Sequence, residues 1–545
     1  MYDYIIVGGG SAGSVLAARL SEDRETQVCL LEAGPPDRSQ LIHCPAGIVA
    51  GGMLKGWKHN WAFSTVPQPG LNGRRGYQPR GRGLGGSSSI NAMLYVRGQP
   101  ADYDFWAEQG NPGWGWAEVL PYFLKAENNE RGASALHGTG GPLNVMDPMC
   151  ASETASLFVQ AAVQAGLPLN PDFNGSSQEG AGIYQVTQKA GERCSAAKAY
   201  LTPNLGRPNL HVMTDAATLR VVLEGRRATG VQVRVDGQVR TLTARREVIV
   251  SAGTFQSPQL LMLSGIGPGA HLQQHGIAVQ HDLPGVGEHL HDHVSVTQIV
   301  DAPRRRDTFT VSPQGAPMAM KGLYDWLTNR RGKLTSSIAE AGAFFKSRPE
   351  EPSPDLQVHF VITKLIDHAR QLAFGHGYTC HLCPMRPASR GTVRLASADP
   401  GAPPAIDPNF FGDPKDMALM IRGFRELRRI LQQPALAAFG GRELPALAAA
   451  QTEAQIEHFI RQNSDTEYHP VGSCRMGPGP LDVVDSELRV HGLQGLRVVD
   501  ASVMPSIISG NTNAPTIMVA EKAADLIKAA ARMAQPVQQA AAAAA

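Results

Sequence analysis

Cysteine is scarce in this chain. Its 545 residues carry seven, at Cys29, Cys44, Cys150, Cys194, Cys380, Cys383 and Cys474, scattered and odd in number. That spacing excludes a disulfide framework and fits a reducing compartment, the cytoplasm. A surplus of one charge is missing too. Lys and Arg total 50 against 48 Asp and Glu, a formal net charge of +2, which argues against a nucleic-acid surface. No apolar run approaches the length of a membrane span. The N-terminus, Met1-Tyr2-Asp3-Tyr4, lacks the basic start of a signal peptide. Aromatic residues make up only 6%. What is plentiful is glycine, 58 residues, and proline, 39, without any period, so collagen-like structure is excluded and many tight turns are implied. With 42% hydrophobic and 18% charged residues, a large folded core is expected and a disordered chain is not.

The first thirty residues read as one βαβ unit. Residues 4–7 form a buried strand by composition, Ser14–Leu20 a helix, and Val28–Leu31 a second strand ending at Glu32. Between the first strand and the helix lies Gly8-Gly9-Gly10-Ser11-Ala12-Gly13. Gly8 allows the tight turn, Gly10 lets backbone approach a pyrophosphate, and Gly13 permits close helix–strand packing. The helix N-terminus supplies amide donors and positive dipole. Glu32, an acid at the end of the second strand, suits ribose hydroxyls and disfavours a 2′-phosphate. The same stretch also matches the G-x-S-x-G of a nucleophile elbow, through Gly9, Ser11 and Gly13. An elbow belongs on a central strand after several others. Here only seven residues precede the turn, so the dinucleotide reading prevails.

Further along, helices are expected at Glu153–Ala165, Gln256–Leu263, Met417–Leu431, Thr452–Ile460 and Thr516–Ala531, the fourth opened by a Thr452/Gln455 capping box. Strands are expected over 210–214, 219–223, 229–235, 247–251, 355–362, 378–383 and Leu496–Val499. Residues 301–352, with Arg304-Arg305-Arg306, read as a solvated loop region. The tail, 534–545, is low-complexity and expected to be disordered.

Three more segments carry chemistry. They are Ser251-Ala252-Gly253-Thr254 through Gly265-Ile266-Gly267-Pro268, Tyr468-His469-Pro470-Val471-Gly472-Ser473-Cys474-Arg475-Met476-Gly477, and Val499-Asp500-Ala501-Ser502 with Gly510-Asn511-Thr512-Asn513-Ala514-Pro515-Thr516. Together with the N-terminal loop and the glycine- and serine-rich stretch Arg80–Asn91, they resemble the glucose–methanol–choline (GMC) family of FAD-dependent oxidoreductases, over roughly residues 2–530. Within it the chain looks closest to bacterial alcohol dehydrogenases of the choline-dehydrogenase-like branch.

The resemblance implies an α/β Rossmann-like FAD-binding domain built from 1–150, 200–300 and 480–533. It also implies a discontinuous α+β substrate domain with an antiparallel sheet, from 151–199 and 301–479. It implies FAD on Gly8, Gly10, Ser11, Ala12, Gly13 and Glu32. Asn91 and Ala92 match positions beside the isoalloxazine, Val221 the backbone contact to adenine and Asp500 the acid near the pyrophosphate and ribityl chain, with Gly85, Ser89, Ala252 and Asn511 as further expected FAD contacts. The position that carries a covalent histidine link in some members is Ile90 here, so FAD is expected to be non-covalent. The expected reaction is oxidation of a primary alcohol to an aldehyde, with hydride to flavin N5. Electrons would pass to a quinone or other acceptor, and a quinone would favour peripheral contact with the inner face of the cytoplasmic membrane. An oxidase using O₂, a choline dehydrogenase and a flavin-containing lyase are the alternatives.

His469 is the expected base, since an imidazole suits proton transfer near neutral pH. Asn513 is its expected partner. It is preferred over Asn511 because a helix follows it directly. His289-Leu290-His291-Asp292-His293 is a weaker, metal-like cluster without a distant complement, so no metal is expected. Cys380-His381-Leu382-Cys383 reads as core packing. Trp57 and Trp61 are candidates to pack by the flavin.

Overall fold

A computed structural model describes residues 1–47, 56–310, 312–313, 315–367, 371 and 373–543, with side chains as far as 533. Two seven-stranded sheets organise the chain.

The first sheet grows from the βαβ unit. Strand Tyr2–Val7, helix Ser11–Leu20 and strand Val28–Leu31 follow in that order. The strands read as uninterrupted apolar runs because both faces are covered. Ile5, Ile6, Val28, Cys29 and Leu30 are fully buried. The parallel register continues outward to Leu210–Met213 on one side and to Val248–Val250 and Leu496–Val498 on the other. The long strand Gln238–Val250 also pairs antiparallel with Arg227–Val235, which pairs with Ala217–Glu224. Gly13 sits where helix and strand touch. A Cβ there would lie 1.9 Å from the Gly8 carbonyl oxygen, the close packing expected of this glycine.

The second sheet is antiparallel, in the order Arg442–Glu443, Val294–Asp301, Gly377–Pro384, Leu356–Val361, Ala339–Phe345, Gly180–Ile183. Ser464–Thr466 pairs with Val294–Val296. Its two faces differ. Val358, Phe360, Cys380 and Leu382 pack into the second core with Met420, Phe424 and Leu427 of helix Pro414–Leu431. The opposite face carries Gln357, His359 and His381, also buried. His359 and His381 are direct cross-strand partners, so their imidazoles share that face.

The expected helices Gln256–Leu263 and Met417–Leu431 are present, the second starting earlier at Pro414, and Thr452/Gln455 do form a capping box. Residues 301–352 are more ordered than the sequence suggested, with helix Ala316–Asn329 and strand Ala339–Phe345. Pro317 falls at the start of that helix, where proline is tolerated. The last helix runs Asn513–Ala543, beginning and ending beyond the expected Thr516–Ala531. The side chains of the tail expected to be disordered lie outside the described residues.

Candidate active site

One cavity of about 380 Å³ joins the two sheets. At one end it is lined by Gly8, Gly10, Ser11, Ala12, Glu32 and Ala252. At the other it is lined by His359, His381, Glu467, His469 and Asn511. Asn91, Ala92, Asp500 and Asn513 line it between or beside these ends.

The Gly8–Ala12 end has the features of an anion cradle. Helix Ser11–Leu20 starts at Gly10 with no side-chain cap, so first-turn amides are left for another acceptor. A Cβ on Gly10 would meet no protein atom nearer than Gly86 Cα at 3.9 Å. Glycine here therefore leaves room for something other than protein. Thr218 Oγ1 and Ser251 Oγ, both in the lining, are buried without a hydrogen-bond partner. Buried hydroxyls of this kind are normally satisfied, and a polar ligand would satisfy them. Glu32 accepts from the backbone N–H groups of Gly9 (2.8 Å), Gly34 (2.8 Å) and Gly83 (2.9 Å). Burial pushes its carboxyl up, and those three N–H groups oppose the push. Oε2 takes one of these bonds and keeps capacity for a hydroxyl. Asp500 accepts from Gly253 N–H, Ser257 Oγ and Ser502 N–H, which fixes the backbone on that wall.

Other expected contacts fall elsewhere. Val221 is not in the lining. Its N–H donates to Ser264 Oγ at 2.8 Å, and Ala216, Ala217 and Thr218 line the cavity instead. Gly85 and Ser89 hold the glycine-rich turn from behind: Gly85 N–H donates to the Gly9 carbonyl, and Ser89 Oγ to the Leu84 carbonyl. Gly86, Ser87 and Ile90 reach the cavity in their place, and so does Trp61, while Trp57 does not.

At the other end His469 is buried and held on three sides. Its N–H donates to Asp292 Oδ1 at 2.8 Å, its Nδ1 lies 3.0 Å from His293 Nδ1, and its Nε2 lies 3.1 Å from Asn511 Nδ2. The hydrogen-bond chain fixes its tautomer. His293 Nε2 lies 2.9 Å from the Met385 carbonyl oxygen, which only accepts, so Nε2 carries the proton. Burial lowers His293 to about 4, so it is neutral and its Nδ1 is a lone pair. His469 must then donate from Nδ1. Burial, and next the neighbouring His293, also hold His469 well below the usual imidazole range. Its Nε2 is thus a lone pair at neutral pH, beside the Asn511 amide.

Asn513, the expected partner, is not at this nitrogen. It opens the last helix and its Oδ1 accepts from Ser11 Oγ at 2.9 Å, at the opposite end. Gly510, at φ +158, and Asn511 precede the helix, and this turn carries Asn511 to His469.

A second group was not read from the sequence. Glu467 Oε1 lies 3.1 Å from His359 Nδ1, and Oε2 3.3 Å from His381 Nδ1. Burial would raise this carboxyl; the two imidazoles override it and hold it well below the usual range. Gln357 Nε2 lies 3.0 Å from His359 Nε2 and donates to Asn511 Oδ1 at 3.2 Å. Two histidines on the cavity face of adjacent strands were the available signal. Asp292 is pushed up to about 6 by burial, against bonds from Thr466 and the Arg80 charge. The metal-like cluster is dispersed: His291 Nε2 accepts from Ile507 N–H, while Asp292 and His293 both serve His469. Among the described residues no group of three or more His, Cys, Asp or Glu could hold a metal ion.

Cradle, buried histidine and two-sheet frame share one cavity, and comparison with known proteins gives the class, an oxidoreductase. GMC oxidoreductase family models match residues 2–295 and 387–520. The chain belongs to the GMC oxidoreductase family. It is 49% identical to an alcohol dehydrogenase (acceptor) of Pseudomonas putida, over 97% of this chain and 96% of that one. It is 45% identical to the mitochondrial choline dehydrogenase of Homo sapiens, over 97% and 90%. Among solved structures it resembles pyridoxine 4-oxidase from Mesorbium loti, with a TM-score of 0.86 and 32% identity, covering 96% of this chain and 99% of that one. The family implies FAD, and the cradle residues fit it.

Proposed function

We propose that this protein oxidises a primary alcohol to its aldehyde with non-covalent FAD and passes the electrons to a quinone-type acceptor. The observation that carries this reading is the His469–Asn511 contact in the same cavity as the Gly8–Ala12 cradle. FAD, when bound, supplies an acceptor for the hydride of the alcohol carbon.

The chain supplies the rest. Gly8, Gly10, Ser11, Ala12, Glu32 and Ala252 would hold the nucleotide part, with Thr218 and Ser251 completing their hydrogen bonds to it. Asn91, Ala92 and Asp500 would hold the remainder. His469 takes the hydroxyl proton at Nε2. Asn511 Nδ2 donates to the substrate oxygen and keeps it beside that nitrogen. Segments 1–150, 200–300 and 480–533 serve the cofactor, and 151–199 and 301–479 the substrate. Strand Val294–Asp301 lies in the second sheet, which supports a change-over close to the expected residue 300. Ile90, in the lining, has no atom able to form a covalent flavin link.

An alcohol substrate and a separate electron acceptor are supported by the Pseudomonas putida relative, named an alcohol dehydrogenase (acceptor). Turnover of alcohols with a phenazine acceptor under nitrogen tests this. Aldehyde formed in step with acceptor reduced is expected. Turnover only in air, with one H₂O₂ per aldehyde, would make it an oxidase.

A further inference from the structure

Beyond His469, one wall of the cavity carries a polar stripe that removal of the hydroxyl proton does not need. Asn511 Nδ2 lies 3.4 Å from His359 Nε2, His359 Nδ1 lies 3.1 Å from Glu467 Oε1, and Glu467 Oε2 lies 3.3 Å from His381 Nδ1. All four residues line the cavity. The stripe runs from the amide beside His469 Nε2, across one imidazole, to a carboxylate. Its neighbours in the lining are apolar: Val361 follows His359 on the same strand face, and Ala339 is the cross-strand partner of Val361.

Glu467 is charged. Burial would raise its carboxyl, and the His381 and His359 imidazoles hold it well below the usual range. Among the described residues no lysine or arginine pairs with it; its ion-pair contacts are the two imidazoles. Each oxygen faces one of them, and a carboxylate has about four acceptor positions. Acceptor capacity is therefore left over on a side chain that is 10% exposed and lines the cavity.

A ligand that fills the cavity takes water away from this carboxylate. An alkyl chain puts nothing in its place, and stripping a charge of water without a new partner is costly. A ligand with a hydrogen-bond donor at that point restores the bond. A site with a buried polar group thus rejects the analogue that lacks the matching group far more strongly than an apolar pocket rejects an added hydroxyl.

We propose that Glu467 is a specificity-determining residue that receives a second hydrogen-bond donor of the substrate, a hydroxyl or an ammonium, so that the preferred substrate is a diol or an amino alcohol and not a simple alkanol. This rests on alcohol oxidation at His469. The reacting hydroxyl sits at His469 and Asn511, and the second group at Glu467. The spacer between them is short, because a single imidazole separates Asn511 from Glu467. His359 and His381 hold the carboxylate in position.

Anaerobic reduction of the FAD-loaded protein by ω-diols, ω-amino alcohols and n-alkanols of matched chain length tests it, with half-saturating concentration and limiting rate measured separately. The wild type is expected to saturate with its best diol or amino alcohol at least about tenfold below the matched alkanol. Glu467→Leu is expected to reverse that preference. Glu467→Gln keeps an acceptor and the shape but not the charge, so it should abolish a preference for ammonium and weaken one for hydroxyl. Whichever class leads in the wild type names the donor. Tertiary alcohols with and without the second group have no carbinol hydrogen to transfer, so their perturbation of the flavin spectrum reads binding without turnover. They should rank in the same order, and the order should be lost in Glu467→Leu. If the leucine variant fails to hold FAD, the glutamine variant decides. The proposal falls if alkanols saturate the wild type as readily as diols and amino alcohols of every length, or if Glu467→Gln keeps the wild-type order and margin. Bleaching by no alcohol, with the tertiary series still ranked by its second group, would count against the oxidation and support the role of Glu467.

Discussion

His293 Nδ1 lies 3.0 Å from His469 Nδ1, and His293 is itself oriented by the Met385 carbonyl. A backbone acceptor two steps away thereby decides which nitrogen of His469 is free. Replacing His293 by Leu removes that constraint and leaves the Met385 carbonyl without this partner. We expect kcat/KM to fall roughly 10–100-fold, the loss typical of partners that orient a functional histidine, with FAD retained. His293→Gln, able to accept and donate, should recover part of the loss. Equal losses in both variants, with loss of FAD, would mark a purely structural role.

Asn511 and Asn513 should separate by phenotype. Asn511→Ala removes the amide beside His469 Nε2, so kcat should fall about 10–1,000-fold while the flavin content holds. Asn513→Ala removes the acceptor of Ser11 Oγ in the cradle, so FAD retention should weaken while the kcat of loaded enzyme changes little. Flavin absorbance of the purified variants and their turnover per flavin read both effects.

Stability should fall in mild acid. Burial lowers His291, His293 and His469 below the ordinary imidazole value of 6.5, His293 to about 4. The unfolded chain binds these protons first as the pH falls. Stabilisation present above about 6.5 is therefore lost progressively toward 4. Asp292, raised to about 6, acts in the opposite sense: the folded state takes its proton before the unfolded chain does. Burial lowers His59, His271, His289 and His376 as well, so the lowered histidines outnumber the raised carboxyls of Glu32, Asp37, Asp292 and Glu340. The Tm should drop between pH 7 and pH 5, and His293→Gln should flatten the drop. A Tm flat or rising over that range would contradict this balance.

All flavin should leave on denaturation. Ile90 lines the cavity, and its hydrocarbon side chain offers no nucleophile for a covalent link. Acid-precipitated protein should be colourless and its supernatant should carry FAD. Flavin fluorescence retained by the precipitate would overturn this.

Much of this was legible in the sequence because its signals are local. Gly8 to Glu32 spans one βαβ unit, and the conformational needs of the turn are written in adjacent residues. The helix of 414–431 was legible from its apolar stripe. The helix of 316–329 was not, because its stripe faces outward and proline and arginine surround it. The Asn511/Asn513 choice turned on the path of the chain before the helix, which Gly510 redirects. Gln357 and His359 lie on one strand, His381 lies on the next, and His293 immediately precedes a third, some sixty residues earlier in the chain. Only the register that pairs His359 with His381, and the neighbouring strand that begins directly after His293, brings them to Glu467 and His469. Long-range pairing of this kind leaves no mark in any one segment. Val221 was displaced for a related reason: strand Ala217–Glu224 passes the cavity at its start, not its middle.

Anaerobic mixing of the FAD-loaded protein with a panel of primary alcohols, read at the flavin absorbance, tests the central claim most directly. The account predicts that wild type bleaches with at least one alcohol and recolours slowly in air, while His469→Gln, equally loaded, bleaches about 10²–10⁴-fold more slowly. Wild-type protein that holds FAD but bleaches with none of them, or a His469→Gln variant that bleaches at the wild-type rate, would contradict it.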